Sequence, residues 1–368
     1  MIERDLKPGW KVWRFDQMAT NVNARIDNPS ESGMEHYVGL EHLDADSLKI
    51  RRWGTPDDVE ATKLMFKKGD IIFGRRRAYQ RKLGVAEFDG ICSAHAMVLR
   101  AKPDVVLPEF LPFFMQSNLF MNRAVEISVG SLSPTINWKT MALQEFEIPT
   151  VDEQLRLVKL LRAIEDERDS LIEAKAASDA LVRSIGKDVL ENNRSPRAVV
   201  ATLAKFASGD GIAVSLLSGS PTLEANVPVY GGNGIAGYTT SPLNKVPHET
   251  VVIGRVGAYC GRTYFVEGDA WISDNALFAT SISDAVVPRY LAMCLTAANL
   301  NRLSTGGAQP LINQQIVKAI EIPVPATEEQ KKIVEILQSV SLTGHAFLHR
   351  SDGLNEMKQM ILMGARSV

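Results

Sequence analysis

The strongest concentration of charge in the sequence lies between Lys67 and Lys82, in KKGDIIFGRRRAYQRK. Seven basic side chains stand here against the single acid Asp70, with Tyr79 among them. Arginines beside an aromatic residue suit phosphate contacts and the paired hydrogen bonds that identify guanine. The pattern favours a nucleic-acid contact over the alternative, a solvated strand edge protected by charge. The candidate DNA-binding residues of this half are Lys67, Lys68, Arg75, Arg76, Arg77, Tyr79, Arg81 and Lys82.

The corresponding segment in the second half of the chain keeps fewer basic residues, so the two halves are expected to bind different targets. A glycine-rich run at 229–237, VYGGNGIAG, lies nearby. No convincing helix follows it, which favours a turn between strands over a phosphate-binding loop. The candidates of this half are Asn233, Tyr238, Arg255, Tyr259 and Arg262.

Catalytic motifs are missing from the sequence. It contains no GxxxxGK[ST] phosphate loop, no HExxH and no GxSxG. The Asn or Asp, Pro-Pro, aromatic tetrapeptide of amino-methyltransferases is also absent, and the six histidines show no metal-ligand spacing. We therefore expect a binding protein without catalytic residues, metal or cofactor of its own, rather than an autonomous nuclease or methyltransferase.

Composition is that of a globular protein with two or three folding units. The 368 residues are 45% apolar and 23% charged, with a net charge of −2. No apolar run is long enough to span a membrane, and the first residues lack the pattern of a secretion signal. Three scattered cysteines are too few for a disulfide framework. These features predict a cytoplasmic protein without membrane association.

The sequence contains a tandem duplication. A 34-residue segment from Ser128 matches one from Ser304 without gaps, 176 residues apart. Upstream, GRRRAY at 74–79 faces GRVGAY at 254–259 at an offset of 180. The chain is thus two copies of a unit of roughly 180 residues. Identities in the ungapped block include Gly130 with Gly306, Pro134 with Pro310, Ile136 with Ile312, Asn137 with Asn313 and Gln154 with Gln330.

Each copy is predicted to be a sheet-rich globule followed by a long helix, an α+β fold. Short apolar stretches bounded by turn residues indicate strands, and the segments after Pro149 and Pro325 open with capping-box patterns at 150–153 and 327–330. Strands are expected at 70–73, 96–99, 250–253 and 263–266, and shorter helices at 108–122 and 288–303. The expected divisions are globules at 1–150 and 194–326 and long helices at 151–193 and 327–368.

Both long helices carry apolar residues spaced by seven, in the same phase relative to the duplication. Two equal apolar stripes in one chain predict an antiparallel coiled coil that relates the two globules by a pseudo-two-fold axis. The alternative is that each helix only caps its own globule. The predicted pairing residues are Leu157, Ile164, Leu171, Leu181 and Ile185, and Ile333, Val340, Phe347, Leu354 and Ile361. Leu160, Ala174, Ile336 and Met357 are assigned to the second, d-type position.

The duplicated GxxxPxIN, IP and EEQ-type elements resemble the specificity subunit of a type I restriction-modification system. Here they are 128–137, 148–149 and 152–154, then 306–313, 323–325 and 328–330. The resemblance implies two target-recognition domains that each read half of an asymmetric bipartite site in double-stranded DNA. It also implies that the paired helices dock two modification subunits, which carry S-adenosylmethionine, and that restriction subunits add ATP- and Mg-dependent cleavage. A protein-only scaffold that binds peptides or glycans explains the duplication equally well, but it does not explain the arginine-rich stretch.

Overall fold

The computed structural model describes residues 8–243, 245–305 and 310–364. It divides into two compact units, Met1–Leu171 with His349–Val368 and Ile172–Leu348. Each unit therefore contains part of both long helices. Gly306, one member of the repeat, lies outside the described residues.

The first unit is built on two four-stranded sheets and a two-stranded ribbon. Its strands are β1 (Lys11–Arg14), β2 (Ala19–Val22), β3 (Arg25–Ile26), β4 (Tyr37–Val38), β5 (Lys63–Phe66), β6 (Ile71–Gly74), β7 (Leu83–Val85), β8 (Gly90–Cys92), β9 (Ala96–Ala101) and β10 (Glu145–Ile148). Its helices are α1 (Phe15–Met18), α2 (Phe110–Gln116), α3 (Asn118–Glu126), α4 (Trp138–Ala142) and the first part of α5 (Val151–Asn192). The sheets run β2-β9-β6-β7 and β3-β5-β8-β4, and β1 pairs with β10.

The single helix expected at 108–122 is broken at Ser117. This residue has extended backbone angles, and its hydroxyl accepts a hydrogen bond from the Phe120 amide, so it caps the start of α3. The capping hydroxyl competes with continuation of α2 and produces two helices in place of one.

The second unit has its own sheets. They comprise β11 (Arg197–Val199), β12 (Ala204–Ser208), β13 (Val227–Gly231), β14 (Gly234–Thr239), β15 (Glu249–Gly254), β16 (Thr263–Glu267), β17 (Trp271–Ile272), β18 (Ala276–Ile282) and β19 (Glu321–Pro323). The helices are the second part of α5, then α6 (Val200–Leu203), α7 (Pro288–Ala297), α8 (Gln314–Lys318) and the first part of α9 (Thr327–Gly364). The expected helix at 288–303 is α7 followed by a short 3-10 turn.

Topology confirms the duplication. The order β12-β18-β15-β16 in the second unit repeats β2-β9-β6-β7 in the first, and the parallel pair β13–β17 repeats β4–β8. The ribbon β11–β19 likewise repeats β1–β10. The units differ at the second sheet, where β14 forms a hairpin with β13. The fold is therefore α+β and duplicated, as the sequence predicts.

A buried glutamine fastens the first turn of each long helix to its globule. Gln154 is fully buried; its amide oxygen accepts from the Leu107 amide, and its nitrogen donates to the carbonyls of Val105 and Pro149. Gln330 makes the same three bonds in the second unit, with Val287, Ala285 and Pro325. The glutamine of the repeated EEQ-type element thus sets the direction in which the helix leaves the globule.

The capping box predicted at 327–330 is wrong, because the buried Gln330 side chain bonds to the globule. In the first copy the Thr150 hydroxyl accepts from the Glu153 amide, as a cap should. In the second copy the helix already includes Thr327, and the Gln330 side chain bonds to the globule instead of returning to the helix terminus.

The two long helices run antiparallel within each unit. In the first unit Lys358 of α9 lies 2.7 Å from Glu165 of α5, and Arg350 lies 2.8 Å from Glu167. In the second unit the Ser178 hydroxyl of α5 donates to the Val340 carbonyl of α9. The predicted pairing of the helices is therefore confirmed in both units.

The phase of the predicted stripe needs a correction. Leu181 is 49% exposed, and the d-type residues Leu160, Ile336 and Met357 are equally exposed. Ile164 and Leu171 are buried, and the remaining predicted pairing residues Leu157, Ile185, Ile333, Val340, Phe347, Leu354 and Ile361 are partly buried. The most buried heptad of α9 is Gln330, Leu337, Gly344, Ser351 and Lys358. A search for apolar residues misses it because four of its five members are polar or glycine.

Candidate nucleic-acid interface

The arginine-rich loop of the first unit begins where β6 ends. Its backbone is bonded to the repeated GxxxPxIN loop: the Ile136 amide donates to the Arg75 carbonyl, and the Arg77 amide donates to the Pro134 carbonyl. Arg77 adopts a left-handed conformation with φ of 56°. These bonds hold three consecutive arginines at the end of a fully buried strand.

The side chains of this loop differ in how they are held. Arg75 donates to the Ala94 carbonyl at 3.0 Å, and the guanidinium of Arg77 lies 3.2 Å from the Ser133 hydroxyl. Arg76 lies 3.4 Å from Nε2 of His95. Desolvation, followed by the charges of Arg76 and Arg75, lowers the pKa of His95 below its usual 6.5. Tyr79 is 55% exposed. The loop therefore presents cations and an open aromatic ring, beside an imidazole whose pKa is lowered.

Four of the predicted residues lie elsewhere. Lys67 and Lys68 form the turn before β6, at the opposite end of the strand from Arg75. Arg81 donates to the Gln116 carbonyl and pairs with Asp46, and Lys82 donates to the Leu40 carbonyl. Arg81 and Lys82 thus contact the fold itself, which leaves Arg75, Arg76, Arg77 and Tyr79 as the group that the loop brings together.

Sequence reasoning missed several residues beside this loop. A cleft of about 230 Å³ next to Arg75 is lined by Asn21, Asn23, Arg25 and Trp138. Amide and guanidinium groups are the side chains that pair with adenine and guanine edges. The signal in the sequence is slight: Trp138 directly follows the repeated Asn137 and is replaced by Gln314 in the second copy.

The equivalent loop of the second unit is held in the same way. The Ile312 amide donates to the Arg255 carbonyl, and the Gly257 amide donates to the Pro310 carbonyl. The guanidinium of Arg255 lies 3.4 Å from the Ser208 hydroxyl. In each unit, therefore, the carbonyl of the arginine that follows the strand is held by a backbone hydrogen bond from the repeated isoleucine.

Asn233, Tyr259 and Arg262 come together in the second unit. The guanidinium of Arg262 lies 4.2 Å above the ring of Tyr259 and donates to Oδ1 of Asn233 at 2.9 Å. Tyr259 is 48% exposed. Tyr238 does not join them, since it lies along β14 opposite Pro228 and pairs through its backbone with Ser218.

Close backbone contact places Asn233 over this loop. A Cβ atom on Gly254 would lie 2.2 Å from the carbonyl oxygen of Gly232, so only glycine fits at the end of β15. The turn of the β13–β14 hairpin can therefore approach the loop that carries Tyr259 and Arg262. The cluster of Asn233, Tyr259 and Arg262 thus depends on the GxxxAY segment of this unit and on its β13–β14 hairpin, which has no counterpart among the described strands of the first unit.

Metal and membrane features give no further site. Among the residues that the structure describes, no group of three or more histidine, cysteine and acidic residues could hold a metal ion. Within the same ranges, no helix is long and apolar enough to cross a membrane. The buried thiols of Cys92 and Cys294 have pKa values raised to about 12, chiefly by burial.

Comparison with known proteins identifies relatives. Residues 32–178 and 222–347 match the family model of the type I restriction modification DNA specificity domain. The chain is 27% identical over 176 residues to the type I restriction enzyme EcoDI specificity subunit of Escherichia coli, which is 47% of this chain and 38% of that protein. It is 32% identical over 110 residues to the EcoprrI specificity subunit of the same organism, or 30% of this chain and 27% of that protein. These aligned stretches span less than half of the curated relatives.

Solved structures share the fold along nearly the whole chain. The type I restriction-modification system S subunit from M. genitalium matches with a TM-score of 0.61 at 12% identity, covering 100% of this chain and 98% of that one. A chain from a study of complex assembly and conformational transition of the type I R-M system also gives 0.61, at 20% identity and 98% coverage of both chains. Because the family model spans most of both repeats, the chain belongs to the family of type I restriction-modification specificity subunits.

Proposed function

We propose that this chain is the DNA-recognition subunit of a type I restriction-modification complex. Residues 1–150 and 194–326 are its target-recognition domains, each of which reads one half of an asymmetric bipartite site. The helices 151–193 and 327–368 set the spacing and dock the modification subunits. The family assignment favours this function over a scaffold that binds peptides or glycans.

One observation carries the proposal. Both units hold the GxxxAY loop on the repeated GxxxPxIN loop and present its tyrosine half exposed, yet the neighbouring side chains differ. The first unit offers Arg75, Arg76 and Arg77, and the second offers Asn233 and Arg262 around Tyr259. One scaffold with two different sets of hydrogen-bonding groups is suited to reading two different half-sites.

The remaining chemistry belongs to partners. We assign S-adenosylmethionine binding and adenine-N6 methylation to two modification subunits, and ATP- and Mg-dependent cleavage to restriction subunits, in the cytoplasm. This chain contributes no catalytic group. Its net charge of −2 implies weak, salt-sensitive binding of double-stranded DNA by the isolated chain, so phosphate contacts from the partners supply much of the affinity.

Selection from a randomised duplex library tests the proposal, with the chain assembled with its modification subunits. The expected result is one asymmetric motif with two specified halves. Arg262→Glu is expected to relax one half by about 1–3 kcal/mol and leave the other intact. Lys205→Glu, the same charge change on β12 at the opposite edge of the sheet from β16, is the matched control. A selection without any bipartite motif would contradict the proposal.

A further inference from the structure

The second unit contains an open groove of about 830 Å³ between the edge strand β16, helix α7 and the paired segments of α5 and α9. Phe265, Met293 and Leu337 contribute apolar side chains to it, and Gly186 lies at its base. None of the residues assigned above to DNA recognition lines it. The groove therefore has no role in the proposed reading of DNA.

The first unit shows what fills the equivalent place. By the offsets of the repeat, Phe113, Leu161 and Leu362 correspond to Met293, Leu337 and Gly186. These three residues form a buried cluster, and Leu48 packs against it. A leucine from a separate segment thus occupies the position that is open in the second unit.

The backbone around Leu48 also extends the sheet. The Val85 amide of β7 donates to the Leu48 carbonyl at 2.8 Å, and Ala45 forms a bridge with Lys82. Phe265 of β16 is the repeat equivalent of Val85. Residues 44–48 therefore add to the edge of β7 while Leu48 enters the cluster.

No such segment pairs with the free edge of β16 within the described residues of the second unit, 172–243, 245–305 and 310–348. β16 is the edge of its sheet and pairs only with β15 among the described strands. The stretch that follows β13 forms β14, which pairs with β13 in the other sheet and not with β16. A strand edge beside an apolar groove is a surface to which extended peptides bind.

Packing does not require the glycine at the base of the groove. A Cβ atom on Gly186 would lie 3.6 Å from the Cβ of Ala297 and 3.9 Å from the Cγ of Met293, which is ordinary contact. Glycine also weakens the interior of a helix such as α5. The glycine leaves the groove open, because the second unit has no side chain at the position that Leu362 fills in the first unit.

Charge around the groove favours an acidic occupant. Arg183, Lys187, Arg289 and Arg302 line it. Lys187 lies 3.8 Å from Glu191, and Arg289 pairs with Glu267 at 2.5 Å. Arg183 and Arg302 therefore remain as cations that make no ion pair with the described residues. Arg289 also lies over the ring of Phe265 at 4.0 Å. In the first unit the covering segment carries acids before its leucine, in the sequence LDADSL at 43–48. The cationic rim therefore suits a segment with the same order of acidic and apolar residues.

We propose that this groove binds an extended acidic segment of a partner protein, which adds to the edge of β16 and inserts one leucine-sized side chain beside Met293, Leu337 and Gly186. The segment takes the place that residues 44–48 take in the first unit. The surface is a protein-docking site distinct from the DNA-reading loops.

A peptide with the sequence of residues 41–48, EHLDADSL, tests the proposal. The labelled peptide is titrated against the full chain and followed by fluorescence anisotropy. Saturable binding of one peptide per chain is expected, since the equivalent site of the first unit is already filled. Replacing the final leucine of the peptide by alanine is expected to weaken binding about tenfold or more.

Gly186→Leu and Gly186→Ala form a matched pair of chain variants. The leucine fills the groove as Leu362 does and is expected to abolish peptide binding without lowering the melting temperature. The alanine leaves the space open and is expected to retain binding. Absence of peptide binding, or equal binding by the leucine variant and the unmodified chain, would overturn the proposal. Loss of self-association in the leucine variant, seen by sedimentation, would overturn it in favour of a second copy of the chain.

Discussion

Individual basic residues in the arginine-rich segment have different roles despite their closeness in sequence. Lys67 and Lys68 are separated from Arg75 by the length of β6, and Arg81 bonds to a buried part of the fold. The composition of the segment predicts a site, but the directions of Arg81 and Lys82 depend on contacts with Gln116 and Leu40, which are distant in sequence. Those tertiary contacts could not be inferred from the segment alone.

Arg76→Glu is expected to weaken the half-site read by the first unit by about 1–3 kcal/mol, because it reverses a charge at the end of β6. Lys68→Glu makes the same charge change at the other end of the strand and is expected to have a much smaller effect. Binding of the assembled complex to duplexes altered in one half-site at a time measures both variants. Equal losses for the two variants would show that position on β6 does not matter.

Elements are positioned by a few buried polar groups as much as by apolar packing. Gln154 and Gln330 each satisfy one backbone amide and two carbonyls. Their spacing revealed the repeat, but their burial could not be predicted because glutamine is a common surface residue. The d-type positions of α9 were misplaced by one residue for a similar reason, since Leu337 and Lys358 are buried where Ile336 and Met357 were expected.

Gln154→Ala is expected to lower the free energy of unfolding by at least about 2 kcal/mol, because three buried backbone groups lose their partner. Gln330→Ala should do the same in the second unit. Lys331→Ala, which removes only an exposed pair with Glu328, serves as the control and should change stability by about 0.5 kcal/mol or less. Urea unfolding of the three variants measures these differences. A loss at Gln154→Ala no larger than that of the control would contradict the role of Gln154 in joining α5 to the globule.

Lys358 makes the pairing of the helices in the first unit dependent on pH. Burial, only partly offset by Glu165, lowers the pKa of this fully buried lysine from its usual 10.5. Between the lowered folded-state pKa and 10.5 the unfolded chain binds more protons than the folded chain, so stability rises with pH in this range.

Lys358→Met removes this titration and keeps a side chain of similar length. The free energy of unfolding of the unmodified chain is therefore expected to rise relative to the variant as the pH increases toward 10.5. Glu165 retains Arg168 at 3.0 Å, so the variant does not leave it without a cation. Urea unfolding at a series of alkaline pH values measures both free energies. The assignment would be refuted if the free energy of unfolding of the unmodified chain stayed constant or fell relative to that of the variant as the pH rises.

At the scale of the whole molecule, the duplication was the most predictable property. The segments that differ between the two copies were the least predictable. Identities such as Pro134 with Pro310 revealed two copies, and the strand order bears them out. The difference between residues 43–52 and the hairpin of the second unit left no alignable signal, because the first segment adds to the edge of β7 whereas the hairpin lies in the other sheet. The divergent segments shape the Asn233 cluster and the groove beside β16.

The two recognition units are expected to act independently on DNA. Arg76→Glu and Arg262→Glu belong to different units and share no contact. Their effects on binding should therefore add to within about 0.5 kcal/mol when combined. The double variant and both single variants are compared on the same duplex; strong non-additivity would indicate a single shared site.

The most direct test of the central claim is a single-molecule map of N6-methyladenine in the host, with this gene intact and deleted, while its modification subunits are expressed. We expect methylation to disappear at one asymmetric bipartite motif and to remain at every other motif. Restoring the gene with Arg262→Glu should recover methylation with one half of that motif relaxed. An unchanged methylation map after deletion would contradict the assignment of this chain as the subunit that reads the DNA sequence.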